Sequence, residues 1–122
     1  MANTSVSCNP LSSGNVRLGG KLGDVELNPA AVSEFVRDLL LSAIAAHQQS
    51  GRPHPQYLTE LTTYPYLRPS SMGLGPCPEP NYECCLILHF GEAQIGMALS
   101  MSEARALGEG LIAASVPRAR PQ

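Results

Sequence analysis

Between Pro29 and Gln48 the apolar residues Val32, Phe35, Val36, Leu39, Leu40, Ala43, Ile44 and Ala46 recur at steps of three and four. That period predicts a helix over about 29–48, a rod of ~30 Å with a broad apolar face. Asn28 suits the N-cap, and Pro29 the first helical position, where its missing N–H leaves no bond unmade. Val32, Leu39 and Ala46 are spaced by sevens, as are Val36 and Ala43, which fits a short coiled-coil seam. Two readings stay open: the face packs on the chain's own domain, or copies of the same helix cover it. Either way the face must be covered, because Glu34, Arg37 and Asp38 are its only charges and all fall early.

Upstream, residues 1–15 are rich in Ser, Asn and Gly without apolar periodicity and read as a flexible or partner-ordered arm. Val16 to Leu27 alternates apolar and polar positions around glycine turns, which predicts two short strands or a loose hairpin. Downstream, Ser50 to Asn81 holds seven of the 11 prolines. Each removes a donor and pushes its predecessor toward extended backbone, so this stretch predicts an extended strap, with Ser70–Pro76 its most mobile portion. Cys84–Phe90 is a continuous apolar run of strand length, Gly91-Glu92 can turn, and Ala93–Leu99 can return antiparallel. Ser100 and Glu103 then form a capping box ahead of a helix that Pro117 ends. Gly108 and Gly110 in that helix suggest close approach to a strand or another chain.

These elements predict an α+β fold: an arm with short strands (1–28), an oligomerising helix (29–49), a Pro-rich strap (50–81), a ββα unit (82–117) and a tail (118–122). Setting Asn28 on Ser100 as two N-caps aligns Val32 with Ala104, Phe35 with Leu107 and Leu39 with Leu111. Residues 16–48 and 85–115 thus read as two copies of one strand-strand-helix plan.

Composition sharpens this picture. A chain of 122 residues buries only about two-thirds of its unfolded surface, so a partner chain is expected to complete the fold. The 11 Gly and 11 Pro exceed the usual ~12% share without reaching the ~25–30% of low-complexity chains. Net charge is −2, and the basic residues, seven Arg and Lys21, are scattered, which excludes the basic stripe that nucleic-acid backbones require. No membrane span is expected, since the Leu39–Ala46 run is too short. Nothing at the N-terminus resembles a secretory signal, so residence in a reducing cytoplasm is expected, with adjacent Cys84 and Cys85 reduced and buried as small hydrophobes.

Candidate chemistry is sparse. Cys84 or Cys85 with His89 could be pictured as nucleophile and base, but no group stands out to orient the histidine. Cys77, Cys84 and Cys85 lack the spacing of zinc hooks, and Gly19-Gly20-Lys21 lacks the rest of a phosphate loop. The expectation is therefore no catalytic residue, no metal and no cofactor. His47 continues the face of Val36, Leu40 and Ala43. It either points toward a threefold axis, where imidazoles can bond through water or take an ion, or lies half-exposed near a helix C-terminus, favoured there by the dipole.

Pro53-His54-Pro55-Gln56-Tyr57-Leu58, six residues after His47, is a stiff, extended presentation of a histidine. Together with the His-containing helix before it, this string resembles the Pro-His-Pro-Gln-Tyr segment of tailed-bacteriophage tail fibres and related virion proteins. In that family the segment follows a trimerising helix and redirects three chains around a common axis. Arg52 stands where the family usually carries Asp, so no carboxylate contact carries over there. The resemblance spans roughly 15 residues and implies a non-enzymatic virion structural or assembly protein, a homotrimer that meets other virion proteins and is assembled in the host cytoplasm. It implies interchain contacts at His47, His54, Gln56 and Tyr57, beside Val32, Phe35, Val36, Leu39, Leu40 and Ala43 of the helix. The reading kept against it is a cytoplasmic protein- or ligand-binding module with the helix packed intramolecularly.

Overall fold

A computed structural model describes residues 6–21, 23–53 and 65–117. Its elements, in chain order, are β1 (Ser7–Pro10), β2 (Val16–Gly20), β3 (Gly23–Leu27), α1 (Pro29–Ser50), β4 (Ser71–Gly75), β5 (Cys84–Phe90), β6 (Ala93–Leu99) and α2 (Met101–Ser115). The fold is α+β, with two antiparallel three-stranded sheets ordered β1-β2-β3 and β4-β5-β6 and a helix after each. No helix among the described residues is long and apolar enough to cross a membrane. The chain divides into two units, Met1–Ser70 with His89–Ile95, and Ser71–Leu88 with Gly96–Gln122.

In the first unit β1 pairs with β2 from Ser7↔Gly19 to Pro10↔Val16, and β2 with β3 from Val16↔Leu27 to Gly20↔Gly23. Between β1 and β2 the Leu11 and Gly14 amides donate to Asn15 O and Leu11 O, and Gly14 supplies the positive φ of 94° that closes the turn. Asn15 Nδ2 donates to Glu26 Oε2 at 2.7 Å, tying this turn to β3. Leu27 hands the chain to Asn28, whose Oδ1 accepts the Ala31 N–H at 2.8 Å and starts α1. Left-handed Gly51 ends the helix.

The second unit uses a stronger cap. Ser100 Oγ accepts the Glu103 N–H at 3.3 Å, and Glu103 Oε1 accepts the Ser100 N–H at 2.9 Å. The bond from the Ser100 N–H, and after it the Ser100 side chain, hold the Glu103 carboxyl below its ordinary range. In each unit the last strand residue, an N-cap in extended backbone and the first helical residue follow without a gap: Leu27-Asn28-Pro29 and Leu99-Ser100-Met101. The strand-strand-helix order read twice in the sequence is therefore present twice, each time with a third strand before it.

Four features differ from expectation. Part of the N-terminal arm is strand, because β1 pairs through its backbone while its side chains stay exposed, so no apolar alternation announces it. Ser71–Gly75, expected as the most mobile part of the strap, is likewise a strand. Cys84 and Cys85 are reduced but only half-buried. At Gly108 and Gly110 an added Cβ would meet nothing within 4 Å, so neither marks a close approach to a strand of its own chain.

Candidate association surface

Among the described residues no hydrophobic side chain is buried, and this shapes α1 most. Near its start the helix is tied to the turn end of the β5–β6 hairpin within the first unit. Ser33 Oγ donates to Pro29 O at 3.1 Å and accepts the Gln94 N–H at 2.9 Å. Around this latch Val32 and Val36 of α1, Phe90, Ala93 and Ile95 of the hairpin, and Leu67 line an apolar cavity of about 260 Å³. So Val32 and Val36, read in the sequence as facing other copies, have contacts inside their own unit.

Past Val36 the cover ends. Leu39, Leu40, Leu41 and Ile44 are 58%, 54%, 56% and 56% exposed, and Phe35 and Ala43 are exposed as well. From Leu39 to Ser50 there is no Asp, Glu, Lys or Arg. At about 100° per residue, Val32, Phe35, Val36, Leu39, Ala43 and His47 fall within one stripe, Leu40 and Ile44 flank it, and Leu41 lies on the far side. Leu41 was not singled out in the sequence, because helical periodicity rewards the stripe and ignores apolar residues off it. His47 is half-buried near the helix end. His54, Gln56 and Tyr57 lie outside the described residues.

No family model, curated protein or solved structure matches this chain.

Cys85 and His89 share one face of β5 but stand four residues apart, ~13 Å along a strand, too far for direct proton transfer. The Cys85 thiol is pushed up by its hydrogen bond with Cys77, then by burial and by the neighbouring Cys77 and Cys84. A shift in that direction favours the protonated thiol over the nucleophilic thiolate. Among the described residues no three His, Cys, Asp or Glu side chains converge on a metal-sized site.

Proposed function

We propose that the protein is a non-enzymatic structural or assembly protein of a tailed-phage virion, a tail-fibre, fibre-like or head–tail accessory component. It forms a homotrimer through α1 and the Pro-His-Pro-Gln-Tyr segment that follows. The observation that carries this reading is the uncharged C-terminal half of α1, with four large aliphatic side chains more than half exposed. Water would penalise such a surface on an isolated chain, and copies of the same stripe would cover it. The assembly site comprises Phe35, Leu39, Leu40, Ala43 and His47, extended by Val32 and Val36 and by His54, Gln56 and Tyr57. Partners are further copies and other virion proteins rather than nucleic acid or membrane, and assembly takes place in the host cytoplasm.

Light scattering on the full chain and on Leu39→Asp/Leu40→Asp tests this. A trimer that dissociates in the double variant is expected, whereas a monomeric wild-type chain refutes the reading. The apolar cavity beside Val32 and Phe90 favours a second reading, a binding module for a small apolar ligand. Calorimetric binding of such a ligand by a monomeric chain would support it.

A further inference from the structure

Three of the four cysteines belong to the second unit, and its sheet brings two of them together. Gly75, the last residue of β4, lies against Ile87 of β5: an added Cβ at Gly75 would stand 3.0 Å from Ile87 Cδ1. The strands of this sheet are antiparallel, and residues of one face recur at every second position. Two residues on from Gly75 stands Cys77, and two residues back from Ile87, on the same face of β5, stands Cys85. The chain between them is shaped to return. The Tyr82 N–H donates to Glu79 O at 3.4 Å, with Pro80 and Asn81 at the two central positions and Asn81 at a φ of 73°. Those are the residues, and the left-handed second corner, that a type II turn requires. The turn delivers Cys85 to Cys77, and the two thiols are hydrogen-bonded. On the β6 side a Cβ at Gly96 would stand 3.7 Å from Cys85 Sγ, so glycine leaves that flank of the sulfur open. Both cysteines are half-buried rather than sealed.

We infer that Cys77 and Cys85 are a redox-active dithiol, which a low-molecular-weight disulfide such as oxidised glutathione converts to an intramolecular Cys77–Cys85 bond. Sulfurs already within hydrogen-bonding reach close to the ~2.0 Å of a disulfide by turning side chains, with the strands kept in place. The hydrogen bond sets the order of events. It favours the protonated form of Cys85, so Cys85 is its donor and Cys77 the accepting sulfur. The Cys77 thiolate attacks one sulfur of the glutathione disulfide, and the other glutathione leaves as its thiolate. Cys85 then gives its proton to solvent and attacks the Cys77 sulfur, and the second glutathione leaves. Two protein thiols lose two electrons and two protons, and one glutathione disulfide becomes two glutathione thiols. Cys84 takes no part, because adjacent side chains of a strand point to opposite faces. The bond ties the chain that follows β4 to the start of β5, closing in an oxidising medium and opening in a reducing one. It is independent of whether α1 associates.

The test is incubation of the reduced full chain with oxidised glutathione near neutral pH, followed by alkylation and tandem mass spectrometry that separates Cys84 from Cys85. The expected product is an intramolecular bond between Cys77 and Cys85, with Cys84 alkylated. In urea that unfolds the chain, Cys77 should pair with Cys84 and Cys85 alike, so the preference reports the native sheet. Cys84→Ser should leave the rate of bond formation within about twofold, since that thiol is on the other face. Cys85→Ser should stop at glutathione bonded to Cys77. The wild-type product decides the matter by itself where a variant does not fold. A native chain in which Cys77 stays bonded to glutathione, pairs with Cys84 or links to a second chain overturns the inference. So does one in which Cys77 and Cys85 both remain alkylatable in excess glutathione disulfide.

Discussion

Truncating Leu39 to alanine separates a helix that needs partners from one that merely exposes an apolar stripe. Burying a leucine side chain fully is worth ~1.5–3 kcal/mol, and Leu39 is 58% exposed, so covering it would yield ~1–1.7 kcal/mol per chain. Alanine forfeits most of that. Over three chains the loss is ~2–4 kcal/mol per trimer, a factor of roughly 30–1000 in the association constant. Alanine and leucine are both strong helix formers, so the monomer keeps α1. Leu41→Ala supplies the control: Leu41 is just as exposed, at 56%, but sits about 200° around the helix from Leu39. A dilution series by sedimentation equilibrium, with helicity followed by circular dichroism, reads both variants. The expected result is dissociation of Leu39→Ala at much higher concentration than wild type, with Leu41→Ala close to wild type. Equal weakening by the two variants would refute a defined stripe, and no weakening by either would refute association through α1.

Other expectations follow from the caps, the glycines and the thiols. Ser100→Ala should cost ~1 kcal/mol in chemical denaturation, the usual value of an N-cap hydroxyl. Because Glu103 is held below its unfolded range, its contribution is present above the unfolded pKa and lost as pH falls through the folded one. Helicity should therefore fall on acidification in the wild type and respond less in Ser100→Ala. Gly108→Ala and Gly110→Ala should each stabilise α2 by ~0.8–1 kcal/mol in thermal unfolding, since the new methyl meets open space and glycine weakens a helix interior. Destabilisation there would mean that a partner chain approaches closely. Alkylation mapped by mass spectrometry near neutral pH should modify exposed Cys8 well before Cys85, whose thiol is kept protonated.

What could be read from residue order was whatever local chemistry decides alone. Asn28-Pro29 and the Ser100/Glu103 box declare helix starts because the donors they satisfy lie within three residues. Gly91-Glu92 between two apolar runs declares the β5–β6 hairpin for the same reason. β1 and β4 escaped because they are recruited by a neighbouring strand's backbone, with no alternation of their own. The candidate surface was legible as a periodic stripe. The latch between Ser33 and Gln94 was not, since those residues lie 61 apart in the chain and neither type marks a long-range contact. That latch is what takes Val32 and Val36 partly out of the stripe and leaves the region from Leu39 onward as its open portion.

The two sheets share a plan and differ in charge, and the difference bears on where an assembly would bury them. The first carries Arg17 in β2 and Asp24 and Glu26 in β3, as a sheet bathed in water does. The second has no Asp, Glu, Lys or Arg in any of its strands, although its residues are no more than half-buried in the single chain. Charged side chains cost most where water is removed, so their absence is what a surface destined for an interior needs, and a monomer gains nothing from it. The same holds along α1, where charges stop at Asp38. Two elements, the distal half of α1 and the second sheet, thus carry interior chemistry on an exposed surface. The first sheet, with its charged edge strand, has the chemistry of a surface that stays in water.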